Sequence, residues 1–183
     1  MDCSKRRDGT VKRGDILLVH SPLRSCSDII SLLIRKITRS YWNHAAWVLN
    51  EHSILESHGN AGVIMDSISK YEYWNPNLVR VCRIKKEHIT EEQLESAINI
   101  ARSSVGSKYD WLLIWELFKL YVFNDRHKVE ASDNRSRWIC SELIAKPLWL
   151  AAKFKFCDVP VSNVVPGDIA NSPFVDVVSV EVR

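Results

Sequence analysis

Cys140, His44 and Glu56 are the residues of this chain whose types and settings could carry one chemistry together. Cys140 sits in Trp138-Ile139-Cys140-Ser141-Glu142-Leu143, where the polar segment 124–137 gives way to an apolar run, so it falls at the start of a helix. The N–H groups and dipole of a helix N-terminus favour negative charge and raise the thiolate fraction of a cysteine placed there. His44 lies inside the apolar run 41–49, and Glu56 follows Leu55 in the next apolar run. A thiol to attack a carbonyl, an imidazole to move its proton and a carboxylate to orient the imidazole are the parts of a thiol hydrolase. Singly, each has a plainer reading as a small buried hydrophobe or a satisfied core polar group. A zinc site from the same three residues ranks lower, because no second Cys or His stands at ligand spacing. No cofactor and no metal is expected.

These residues need elements to hold them. A turn at Gly14-Asp15 leads into a short apolar strand, 16–20, and Ile29, Ile30, Leu33, Ile34 and Ile37 recur at helical spacing. The run 41–49, the polar turn 50–53 and the run 54–57 read as an antiparallel hairpin, in which a cross-strand carboxylate reaches one imidazole nitrogen. Further strands are expected at 63–65 and 78–84. Thr90 and Gln93 have capping-box spacing ahead of a helix that Gly106 ends. The apolar stretch 111–123 reads as a buried helix and 124–137 as an exposed loop. The nucleophile helix is expected over 140–152, kinked or divided by Pro147, followed by turns at 165–168 and 171–173 and a strand over 175–182. The class this implies is α+β, a small antiparallel sheet packed against helices.

With 183 residues, 46% of them hydrophobic, the chain has material for one sizeable core. A single domain over 1–183 is expected, with 1–13 a basic flexible tail holding Lys5, Arg6, Arg7, Lys12 and Arg13. A net charge of +3 is too mild to argue for a nucleic-acid partner. Five cysteines, at 3, 26, 82, 140 and 157, form no close-set pair and suggest a reducing compartment. No stretch approaches the roughly 18 apolar residues of a membrane span, and no apolar leader core opens the chain, so a cytoplasmic protein is expected. Peripheral membrane contact through the basic tail and the helix at 29–37 is the alternative partner reading. Seven tryptophans invite an apolar groove, with Trp42 and Trp138 nearest the chemistry. Tyr109 is a weaker candidate for holding an oxyanion.

The motifs also fall in a recognisable order. Gly14-Asp15-Ile16-Leu17, Trp42-Asn43-His44, Leu55-Glu56-Ser57 with Gly62-Val63, Gly106 to Asp110, Cys140-Ser141-Glu142-Leu143, and Val165-Pro166-Gly167-Asp168 to Ser172-Pro173 follow one another along nearly the whole chain. Together they resemble the circularly permuted, YiiX/YebB-like branch of the NlpC-type papain-like superfamily, related to the lecithin retinol acyltransferase-like proteins. The resemblance implies a permuted papain-like fold and a Cys-His-polar triad, carried here onto Cys140, His44 and Glu56. A cysteine hydrolase acting on an amide or ester carbonyl of a peptide, cell-wall, small-molecule or lipid-linked substrate is expected, though the substrate itself does not carry over from the resemblance. A papain-like module that binds lipid or peptide without turnover is the rival reading.

Overall fold

Strands of alternating residues can bury both faces only where each face meets a cover, and here both faces are covered. The structure, a computed structural model, describes residues 10–20, 40–71, 78–123 and 136–178. Five strands come from the first half of the chain: β1 (Ile16–Val19), β2 (His44–Val48), β3 (Ser53–His58), β4 (Gly62–Ser67) and β5 (Val79–Ile84). With β8 (Val175–Val178) they form a six-stranded antiparallel sheet in the order β4-β3-β2-β1-β5-β8. The helices are α1 (Glu91–Arg102), α2 (Trp111–Val122), α3 (Glu142–Ala152) and α4 (Pro166–Asn171). A short parallel pair, β6 (Lys108–Tyr109) and β7 (Arg137–Trp138), lies between α1 and α3 in sequence. The result is an α+β architecture. The expected helix at 29–37, most of the tail and most of the loop 124–137 lie outside the described residues.

One sheet face packs Ile16, Leu18, Ala45, Trp47, Leu55 and Cys82 against Ala97 and Ile98 of α1 and Leu143, Ile144 and Leu148 of α3. The opposite face packs Leu17, Ala46, Val48, Ile54 and Val81 beneath Ile68, with Val11 and Tyr71 partly buried against them. Ile68 and Tyr71 belong to a single 3₁₀ turn, Ile68–Tyr71, that follows β4 at once. Cover on both sides is why β1 is an unbroken apolar run of four buried residues.

α1 begins as its sequence requires: Gln93 N donates to Thr90 Oγ1 at 3.2 Å and Thr90 N to Gln93 Oε1 at 3.0 Å. Three other local expectations are corrected. Pro147 does not divide α3, which runs unbroken from Glu142 to Ala152. A proline lacks the N–H that would bond to the carbonyl four residues back. That carbonyl, of Leu143, instead accepts the indole N–H of the buried Trp47 at 3.0 Å. A donor from the sheet thus satisfies the helix where its own ladder is interrupted. The segment 165–168 is the first turn of α4 rather than a free turn, with Pro166 at the start, where its missing N–H costs nothing.

The third correction concerns α2, which is a helix as expected but is not buried. Only Leu113 and Leu117 of its residues are buried, against Ile139. Trp111, Leu112, Trp115 and Val122 are exposed, as is Phe123 just beyond its end. An apolar helix is buried only as far as other elements surround it, and among the described residues one face alone of α2 meets a partner.

Candidate active site

The segment that carries Cys140 is pinned on both sides. Ahead of it, the Trp138 carbonyl accepts the hydroxyl of Ser57 on β3 at 2.7 Å and the N–H of Asp110 at 3.2 Å. Asp110 also caps α2, its Oδ1 accepting Leu113 N at 3.0 Å. Behind Cys140, the Ser141 hydroxyl donates to the Val164 carbonyl at 2.7 Å, while Leu143 N bonds to Ile139 O at 3.0 Å and so begins the helical ladder. Cys140 therefore sits at the mouth of α3, one residue before Ser141, whose backbone is already helical. The β6–β7 pair is set in turn by β4. Val63 N donates to Ser107 O, and Gly106 N to Val63 O, both at 2.9 Å. Gly62 permits this approach, since with φ of +72° a Cβ there would lie 2.1 Å from Ser107 O.

β2 opposes β3 with Ala46 facing Glu56, Trp47 facing Leu55 and Val48 facing Ile54. His44, two residues before Ala46, is therefore a diagonal cross-strand neighbour of Glu56. The two side chains meet, His44 Nε2 to Glu56 Oε2, at 2.8 Å. The remaining ring nitrogen, Nδ1, is then the one left for the sulfur, and Cys140 is near enough to act on the imidazole's protonation. The fold thus brings Cys140 into the neighbourhood of the His44–Glu56 pair across a sequence separation of almost a hundred residues. Glu56 is fully buried, Cys140 is 5% exposed, and the His44 side chain is 18% exposed.

The electrostatics follow from those contacts. Burial by itself would lower the His44 pKa, but the nearby Cys140 sulfur and the bond to Glu56, with the charges of both, raise it to about 10. Burial would raise Glu56, yet its bond to His44 and the Lys70 ammonium bring it down to about 2. An imidazolium held between a thiol group and a carboxylate is the arrangement a proton-shuttling base requires.

Other candidates take distinct places. Tyr109 is near enough for the charge of Cys140 to act on it, and burial first, then the charges of Cys140 and Asp110, raise its pKa. Its ring lies 4.7 Å from that of Trp111, centroid to centroid. Trp42 and Trp138 are both buried in the main core. Arg80 lies over the Trp42 ring and Lys146 over the Trp138 ring, at 4.8 and 4.9 Å. Among the described residues, no three His, Cys, Asp or Glu side chains are gathered as a metal site. A cavity of about 450 Å³ lined by Phe156, Cys157, Pro173 and Phe174 includes none of the three central residues.

Sequence reasoning missed the far side of Glu56. Lys70 Nζ binds Oε1 of Glu56 and lies 2.7 Å from Asp66 Oδ2, and the Tyr71 hydroxyl donates to Glu56 Oε2 at 3.1 Å. A buried carboxylate needs more donors than one imidazole supplies, which signals that such partners exist. Nothing in the pattern around 66–71 says which they are.

The family model described as a permuted papain-like amidase enzyme, YaeF/YiiX, C92 family, matches residues 10–148. That span includes His44, Glu56, Tyr109 and Cys140. No curated protein matches the chain.

Proposed function

Because the chain belongs to the permuted papain-like amidase family, we propose that Cys140, His44 and Glu56 are a catalytic triad that hydrolyses an amide through a thioester. The observation that carries this reading is the imidazole of His44 bonded to a buried carboxylate, with the Cys140 sulfur near enough to act on it. In the first half-reaction the Cys140 sulfur, as thiolate, attacks the carbonyl carbon, and the carbonyl electron pair moves onto oxygen. Protonated His44 gives its proton to the leaving nitrogen, the C–N bond breaks, and an acyl-thioester remains on Cys140. Water then attacks the thioester and loses its proton to His44. Collapse releases the acid and restores the thiolate. Glu56 holds the imidazole's orientation and stabilises its charged form throughout. N–H groups at the mouth of α3 would receive the developing oxyanion, with Tyr109 the further candidate; loss of one such donor typically costs on the order of 2.7–4 kcal/mol.

The test is a thiol-directed acyl probe followed by intact-mass measurement. The triad predicts one acyl adduct on Cys140, absent in Cys140→Ser, and multiple turnover with an amide substrate. An adduct that forms and never turns over in any amide or ester series would favour the rival, a module that binds lipid or peptide and does not cleave it.

The outer face of α2 favours a second reading, that the substrate is lipid-linked and the protein meets a lipid surface. Trp111, Leu112, Trp115 and Val122 form an exposed stripe that begins beside Tyr109, with Lys119 its cation at 5.7 Å from the Trp115 ring. Sedimentation of the full chain with anionic vesicles should fall in Trp115→Glu. Equal sedimentation of the two proteins would remove this reading.

A further inference from the structure

We propose that Lys70 and Tyr71 are positioning residues of the active site, holding Glu56 ionised and aimed at His44. The proposal rests on the triad reading above and extends it to the 3₁₀ turn behind the sheet. Glu56 is fully buried, so no bulk water solvates its charge. Among the described residues its oxygens are served by three side chains: Oε2 by His44 and Tyr71, Oε1 by Lys70. They come from two places on the sheet face. His44 is on β2, while Lys70 and Tyr71 are on the turn that closes over the end of β4. Asp66, on β4, holds the other side of Lys70 at 2.7 Å.

The charges therefore alternate along one line: Asp66, Lys70, Glu56, His44, and the sulfur of Cys140. Those are the charged and titratable groups that face Glu56 directly or through one intermediary among the described residues, together with the neutral Tyr71 hydroxyl. Deleting the Lys70 ammonium leaves one carboxylate oxygen buried without its cation, and burial penalises the charged form. Glu56 then takes up a proton at higher pH. Once it is neutral, the imidazolium of His44 loses the anion that supports it, and the thiolate loses its partner. Tyr71 acts in the same direction with less force, since it supplies a hydrogen bond and no charge. Tyr71 also packs against the apolar cluster on that sheet face, which holds Ile54 and Ile68, so its hydroxyl arrives with that cluster in place.

The experiment follows the rate of Cys140 alkylation by iodoacetamide against pH, with site-resolved mass spectrometry, in the full chain and in Lys70→Met, Lys70→Arg and Tyr71→Phe. The acidic limb of the profile should move up by about one pH unit or more in Lys70→Met. Lys70→Arg should return it towards the parent, and Tyr71→Phe should move it by less in the same sense. A role confined to packing would lower Tm and leave the limb where it was, which would overturn the proposal. Should Lys70→Met not fold, Tyr71→Phe and Lys70→Arg decide the matter, and an unmoved limb in Tyr71→Phe counts against it. Failure of the triad itself reads differently: alkylation of Cys140 in the parent chain would then be insensitive to His44→Ala.

Discussion

Cys82 and Cys140 are both buried cysteines, yet they stand in opposite chemical surroundings. Cys82, on β5, is fully buried among apolar side chains; burial, with Asp15 adding to it and Arg80 opposing, pushes its thiol up to about 12. Cys140 is at 5% exposure, hardly more open, but it stands at a helix mouth against an imidazole that is itself held by a carboxylate. Burial alone therefore does not decide whether a thiol is inert. On the proposed reading the polar partner decides it, because a buried sulfur beside an imidazolium would have a counter-charge that a sulfur among aliphatic groups lacks.

That contrast can be broken at either cysteine. Cys140→Ser should abolish amide turnover, by on the order of 10⁴-fold or more, with Tm nearly unchanged. Cys82→Ser should leave turnover intact and instead lower stability by about 1–3 kcal/mol in a denaturant titration, because it buries a hydroxyl among groups that cannot bond to it. Residual turnover in the first, or loss of turnover in a folded form of the second, would dissolve the distinction.

Removing the partners should make the two thiols alike. His44→Ala is expected to cost about 10²–10⁴-fold in turnover, read as kcat/KM. Glu56→Gln, which keeps the shape and removes the charge, should cost less, and should lower the pH at which the imidazole titrates. An unshifted profile would detach Glu56 from the site.

The pH dependence gives a smaller and sharper test. The folded-state pKa of His44 is raised above its ordinary value to about 10, so its pairing contributes stability fully below pH about 6.5, lost as pH rises through about 10. Glu56 is lowered to about 2, so its contribution is present above about pH 4.5 and lost as pH falls through about 2. Turnover should decline as His44 loses its proton near pH 10, since the leaving nitrogen then has no acid, while alkylation of the sulfur, which needs no proton, should not decline. Parallel decline of both would mean general unfolding instead. Smallest of all, Trp47→Phe should lower stability by about 1–3 kcal/mol through the orphaned Leu143 carbonyl and leave alkylation selectivity nearly unchanged.

The meeting of His44 and Glu56 was legible because each is a polar residue set in an apolar run, and because a hairpin between 41–49 and 54–57 brings its strands together. The strand pattern, the capping box of Thr90 and Gln93, and the start of the nucleophile helix were legible for the same kind of local reason. What could not be read locally was anything decided by a partner far along the chain. Pro147 predicts a break until Trp47 supplies a donor to Leu143. The run 111–123 predicts burial, although its apolar content does not say how many of its faces have neighbours. Lys70 and Tyr71 sit in one irregular turn, where neither period nor spacing marks a residue as the support of a carboxylate fourteen or fifteen positions away.

The most direct measurement compares the alkylation rates of Cys140 and Cys82 by iodoacetamide under native conditions near neutral pH, with and without His44→Ala. The account predicts that Cys140 reacts far faster than Cys82 in the parent chain and that most of this advantage disappears when the imidazole is removed. Equal rates at the two sulfurs, or a fast Cys140 indifferent to the loss of His44, would contradict it.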